Sequence, residues 1–304
     1  MKRYLYIYNP YSGAQSAGAD LDKVLGICYS NGIHVIPHRL FTMENDTVLD
    51  ELLADTEHFD GVLILGGDGT VGQIIDKMLK FGNHTPVGII PGGTCNDFAR
   101  NLMMPLTVAE CAAVFCRGKT AEIDLLKVKA EDTEMYVCNS VAAGVFVGVS
   151  HTTSPEFKKV FGSFAYYISA VGELTDMKPF HITVETPEET LDTDALVFVV
   201  LNGTDVAGMK NMISDAILTD GKMNIMVVKD GNMMDRASAG ISVLSHKSDK
   251  NLLALTTEKC KITVDRPLSV SVDGEEGPNL PYEIEVIPRG LTVFVPEAFS
   301  SEEQ

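Results

Sequence analysis

Val62-Leu63-Ile64-Leu65-Gly66-Gly67-Asp68-Gly69-Thr70 decides how the first third of this chain is read. Four apolar residues without polar alternation predict a strand buried on both faces, as in a parallel sheet. Beyond Thr70, Val71, Ile74, Ile75 and Met78 recur at helical spacing until Gly82 stops them. A strand passing through glycines into a helix is the layout in which free N–H groups at a helix N-terminus hold a phosphate. The glycines let the backbone approach an anion and Thr70 adds a hydroxyl donor. Asp68 is placed either to bind Mg²⁺, directly or through water, or to cap the helix.

The flanking sequence repeats the pattern. Residues 87–90 form a strand running into Pro91-Gly92-Gly93-Thr94-Cys95-Asn96-Asp97-Phe98-Ala99-Arg100, a second turn of the same kind. Thr94 and Asn96 offer hydrogen bonds to phosphate or ribose, and Asp97 offers a ligand for Mg²⁺ or the acceptor hydroxyl, or a helix cap. Upstream, residues 4–8 and 33–40 read as strands. Leu21, Val24, Leu25 and Cys28, and then Val48, Leu49, Leu52 and Leu53, read as helical stripes. Thr107 and Glu110 make a capping box for a further helix that Gly118 closes. Strand alternating with helix predicts a doubly wound parallel sheet. Asn9-Pro10-Tyr11-Ser12-Gly13 supplies a third polar loop at the same sheet edge.

Beyond about residue 120 helical periods nearly vanish. Runs at 123–128, 136–142, 181–185, 196–201, 222–228, 261–265, 268–273, 282–287 and 291–295 are short, alternating and bounded by turn residues, which predicts an antiparallel sandwich. Residues 155–176 are the exception and read as a helix. Asp124 sits between Ile123 and Leu125 on an apolar strand, where a carboxylate needs either a Mg²⁺ network or a salt bridge. Asp273-Gly274-Glu275 and Asp220-Gly221 read as turns.

A length of 304 residues suits two domains. The net charge of -18 argues against nucleic acid, whose binding depends on Lys and Arg neutralising phosphates. It also repels an anionic membrane surface unless basic residues cluster locally, as Lys158 and Lys159 do. No run approaches the roughly 20 apolar residues of a membrane span, and the short apolar run after Lys2-Arg3 does not make a signal peptide, so the expected compartment is the cytoplasm. Six cysteines without a CxxC pair indicate neither zinc nor a disulfide framework, and the seven histidines read as surface or satisfied core residues rather than ligands.

These motifs resemble those of the bacterial diacylglycerol kinase-like lipid kinases, of the diacylglycerol kinase catalytic-domain superfamily related to sphingosine kinases and NAD kinases. The family's NPxSG is similar to residues 9–13, its GGDGT to residues 66–70 and its PxGTxNDFAR to residues 91–100. Phe164-Ala165-Tyr166-Tyr167, Leu201-Asn202-Gly203, Thr219-Asp220-Gly221-Lys222-Met223 and Val272-Asp273-Gly274-Glu275 agree as well. The resemblance implies an α/β plus all-β fold. An N-terminal doubly wound, NAD kinase-like α/β domain would span residues 1–125 and an antiparallel β-sandwich residues 126–288. The segment from about 289 to 304 would pack back on the first domain, and the active site would occupy the cleft between domains.

Carried over position by position, the resemblance makes Asn9, Thr42, Gly66, Gly67, Asp68, Gly69, Thr70, Gly93, Thr94 and Asn96 contacts to ATP. It places Asp68, Asp97 and Asp124 in a catalytic Mg²⁺ network and makes Glu275 the general base on a lipid hydroxyl. A second, structural Mg²⁺ would be held by Asp220 and by the carbonyls of Ile217 and Lys222. The implied partner is a lipid substrate met transiently at the inner face of the membrane. No obligate protein partner is called for, and there is room for a homodimer. Two positions depart from the pattern: Ala14-Gln15 and Ile168-Ser169-Ala170 stand where family members often carry lysines. Either Lys158, Lys159 or Arg100 replaces the missing cation, or activity is low or directed to another acceptor. The alternatives are a soluble-acceptor kinase resembling NAD kinases and a nucleotide- or lipid-binding regulatory protein without turnover.

Overall fold

A computed structural model of the chain describes residues 1–10, 17–41, 43, 46–144, 178–204, 217–232, 235 and 250–300. Two compact units divide it: Met1–Asp124 with Pro288–Gln304, and Leu125–Ile287.

In the first unit β1 (Lys2–Tyr8), β2 (Ile33–Arg39), β3 (Gly61–Gly66) and β4 (Val87–Pro91) pair in parallel, in the order β2-β1-β3-β4. Tyr4, Leu5, Tyr6 and Ile7 are all buried, as is every residue of β3. Successive strand residues point to opposite faces, so both faces of this sheet are covered, as a doubly wound fold requires. The cover is α1 (Ala17–Ser30), α2 (Thr47–Ala54), α3 (Asp68–Lys80), α4 (Asp97–Asn101) and α5 (Val108–Arg117), with α1 packed on α5 and α2 on α3. The capping box is present: Thr107 Oγ1 accepts the Glu110 N–H at 3.3 Å and donates to Glu110 Oε2 at 2.6 Å, while Gly118, at φ 75°, ends α5. The chain steps from β1 outward to β2 and then back past β1 to β3. The carboxyl ends of β1 and β3 therefore flank a topological switch point, where open α/β sheets bind ligands.

The second unit is antiparallel throughout its described pairings. It contains β6 (Thr133–Val137), β7 (Ser140–Gly144), β8 (Phe180–Glu185), β9 (Thr190–Leu201), β10 (Met223–Lys229), β11 (Leu252–Thr257), β12 (Lys259–Val264), β13 (Val270–Val272) and β14 (Glu275–Glu276). β5 (Thr120–Ala130) leads in and β15 (Tyr282–Phe294) leads out. Leu126, Val141, Phe198, Ile225, Ile262 and Ile284 belong to one core cluster.

Strands depart from the sequence pattern in several places. The run expected over 136–142 is two strands, β6 and β7, parted at Cys138-Asn139, where the chain bends. β15 is one element where two strands were expected, because Arg289 adopts φ 53° and gives its N–H to Asp124 Oδ1 at 2.8 Å, which carries the chain through the Pro288-Arg289-Gly290 interruption. β9 begins at Thr190, six residues before its apolar run, because its polar first half pairs with β8. β11, absent from the pattern, is recruited by β10. The expected helix over 155–176 lies outside the described residues, as do Thr42, residues 11–15, Lys158 and Lys159, and residues 168–170. Among the described residues no helix is long and apolar enough to cross a membrane.

Candidate active site

A single residue, Gly67, separates β3 from α3 and serves as the helix N-cap; Asp68, Gly69 and Thr70 are the first helical turn. With no side chain, Gly67 leaves the first-turn N–H groups without a cap of its own. A Cβ at Gly66 would lie 2.8 Å from the Thr70 side chain, and one at Gly93 would lie 2.6 Å from the Cα of Gly67. The two glycine turns thus touch backbone to backbone. The Gly92 N–H donates to the Gly66 carbonyl at 2.8 Å and fixes the contact.

Asn96 braces the second turn from within. At φ 53° its Oδ1 accepts the Gly93 N–H at 2.7 Å and its Nδ2 donates to the Gly93 carbonyl at 2.9 Å. One amide hydrogen and one lone pair are left for a ligand. Thr94 beside it is exposed. Asn9, at the end of β1, donates from Nδ2 to Thr70 Oγ1 at 3.4 Å and so spans the switch point.

Asp68 Oδ1 accepts the Phe98 N–H at 3.1 Å, which gives α4 the side-chain cap that Asn96 does not supply. Burial pushes this carboxyl above the ordinary range, against the pull of the Phe98, Asp97 and Asn96 N–H groups. A desolvated carboxylate favours an added cation. Asp97 is 5% exposed and accepts from Arg100 Nη1 at 3.4 Å. Asp124, 1% exposed, holds the Arg289 N–H described above. No three acidic, His or Cys side chains among the described residues come together to hold a metal ion, so Asp68, Asp97 and Asp124 do not form a preassembled shell. A divalent ion suits this donor set only if it keeps water or phosphate oxygens as further ligands, as Mg²⁺ usually does.

The other expected site residues belong to the second unit. Asp273 and Gly274, at φ 47° and 91°, make the tight turn between β13 and β14, and Glu275 follows exposed on β14. Asp273 does more than its turn signal announced. It is 7% exposed, and its carboxylate accepts the N–H groups of Cys138 (2.8 Å), Asn139 (2.9 Å) and Ser140 (2.9 Å). Asn202 reaches the same segment, donating from Nδ2 to the Cys138 carbonyl at 3.0 Å and from its backbone N–H to the Asn139 carbonyl at 2.9 Å. Two motifs far apart in sequence therefore anchor one short segment, a convergence that spacing alone does not reveal. Asp220 accepts the Lys222 N–H at 2.9 Å, with Gly221 at φ 74° and Ile217 just upstream.

Residues 3–128 match the family model described as the diacylglycerol kinase catalytic domain, and residues 139–295 match the YegS C-terminal NAD kinase beta sandwich-like domain. The chain belongs to the diacylglycerol kinase catalytic-domain superfamily. This superfamily member is 26% identical over 300 residues to the diacylglycerol kinase of Bacillus subtilis, covering 98% of this chain and 97% of that one. It is 28% identical over 308 residues to the diacylglycerol kinase of Staphylococcus saprophyticus, covering 99% and 98%. A crystal structure of a candidate diacylglycerol kinase from Bacillus anthracis matches with a TM-score of 0.83 at 23% identity, over 98% of this chain and 97% of the other. A further diacylglycerol kinase structure from the same organism gives 0.75 at 19% identity, over 98% of each chain. At those identities the structural likeness is one of fold. As a superfamily member the protein is a phosphotransferase with an alcohol group as acceptor.

Proposed function

We propose that this enzyme uses ATP and Mg²⁺ to phosphorylate the hydroxyl of diacylglycerol or a similar lipid, such as phosphatidylglycerol, at a membrane surface. The observation that carries the reading is the backbone contact between the two glycine turns, which sets the N-terminal ends of α3 and α4 side by side around the half-buried carboxyl of Asp68. Gly66, Gly67, Gly69, Thr70, Gly93, Thr94, Asn96, Asn9 and Thr42 hold the nucleotide. Asp68, Asp97 and Asp124 hold its Mg²⁺, and Asp220 with the Ile217 and Lys222 carbonyls holds a structural one. The catalytic ion supplies charge neutralisation on the phosphate oxygens. Glu275, fixed two residues beyond the anchored Asp273, accepts the proton of the acceptor hydroxyl. Phosphoryl transfer depends mainly on positioning and charge stabilisation, which fits a site made of backbone donors and carboxylates.

The test is labelled ATP with Mg²⁺ and a panel of lipids in mixed micelles. Labelled lipid above an Asp68→Ala control supports the proposal, and its absence across the panel sinks it. Glu275→Gln is expected to abolish turnover while ATP affinity holds; equal loss of both moves Glu275 out of catalysis. The net charge of -18 favours one rival, a soluble acceptor such as NAD. NADP formation without lipid labelling selects that rival.

A further inference from the structure

Phe41 follows β2, the outermost strand of the parallel sheet, and is 71% exposed. The guanidinium of Arg39 lies over its ring, 5.0 Å from the centroid. Strand register places this pair. Arg39 is the partner of Tyr8, and the Leu40 N–H donates to the Tyr8 carbonyl at 2.9 Å, so Phe41 emerges at the edge where Asn9 leaves β1. Asn9 in turn contacts Thr70 in the first turn of α3. With neighbouring strands about 4.8 Å apart, β2 lies two spacings, roughly 10 Å, from the Gly67 turn and three, roughly 14 Å, from the Gly92 turn. A ribose with its phosphate chain covers such a gap.

We propose that Phe41 is the nucleobase platform of the donor site, the base stacking on the ring face that Arg39 does not cover. The inference rests on the nucleotide reading of the glycine turns above. Arg39 holds the ring from behind, so an Arg–Phe–base stack forms at little cost in side-chain freedom. Stacking accepts any base because every base has a π-face, and phenylalanine has no polar atom with which to read a base edge. Phe41 therefore contributes affinity for a nucleoside triphosphate over bare polyphosphate, without itself separating ATP from GTP.

The chain contains no tryptophan, so Phe41→Trp provides a single fluorescent reporter at the proposed contact. ATP and GTP are each expected to quench it, whereas inorganic tripolyphosphate displaces ATP without quenching. Phe41→Ala is expected to weaken ATP binding by calorimetry about tenfold, within the range of one lost stacking contact, and to leave tripolyphosphate affinity unchanged. If wild-type protein binds ATP and Phe41→Ala binds it equally well, the platform is overturned and the donor reading stands. Equal quenching by tripolyphosphate and ATP overturns it too. If wild-type protein binds neither ATP nor tripolyphosphate, the donor reading itself falls and takes the platform with it.

Discussion

Asp68 joins the two glycine turns while sitting at an energetic disadvantage of its own. Because burial raises its pKa, the folded protein holds that proton more tightly than the unfolded chain does. Ionisation of Asp68 therefore withdraws stability as the pH climbs from the ordinary carboxylate range through the raised value, and the effect is absent below that range, where both states are protonated. Asp68→Asn keeps an acceptor for the Phe98 N–H and removes the charge. Its Tm is expected to exceed that of wild type near neutral pH and to converge with it as the pH falls below about 4, in calorimetric scans at stepped pH. A variant less stable at neutral pH would mean that partners, not desolvation, dominate at Asp68. The identities of the glycines, Asp68 and Asp97 were legible in the sequence because a turn between a strand and a helix confines them to a few positions. The bracing amide of Asn96 and the burial of Asp273 were not, since both depend on where another segment aims its N–H groups.

At the level of elements, the contact between the β3–α3 and β4–α4 turns has no room for a side chain. Gly93→Ala places a Cβ against backbone, 2.6 Å from the Gly67 Cα, so relief requires the turns to part. Nucleotide binding is expected to fall at least tenfold while far-UV circular dichroism stays native; unchanged binding would show that the turns need not touch. The hairpin of β13 and β14 is tied to the start of β7 through Asp273, and Asp273→Ala strands three N–H groups at once. We expect a loss of about 3 kcal/mol or more in urea unfolding of the second unit, given about 1 to 3 kcal/mol for each buried group left unsatisfied. A loss under about 1 kcal/mol would mean that water replaces the carboxylate. Elements with a strong period, such as β3, α3 and α5, were readable from spacing. The first half of β9 and all of β11 were not, because the first is polar and the second, Leu252-Leu253-Ala254-Leu255, is a four-residue apolar run without polar alternation. Their strand character comes from β8 and β10, which offer unpaired edges to them.

For the molecule as a whole, the charge of -18 bears on the proposed lipid acceptor, because it repels an anionic surface. At ionic strengths near 0.01 M the Debye length is about 30 Å, and it shrinks to about 8 Å at 0.15 M. Activity towards diacylglycerol in anionic vesicles is therefore expected to rise as salt increases across that interval and to stay level in zwitterionic vesicles. A falling trend would reveal a basic face turned to the lipid. The division into an α/β part and an antiparallel part was legible because the hydrophobic period changes near residue 120. How the chain closes its first sheet was not, because a short run such as Leu291-Thr292-Val293 carries no mark of its partner. In the structure Val293 pairs with Val87, the Val295 N–H donates to the Lys119 carbonyl, and Lys119 Nζ donates to the carbonyls of Glu297 and Phe299. During translation the first unit therefore waits for its last strand until the whole second unit has left the ribosome. For most of its synthesis the nascent chain carries β4 with an open edge, a hazard for mispairing that a chaperone or rapid folding of the second unit must cover. A message cut just after Ile287 would encode every motif of the first unit and still yield a sheet one strand short.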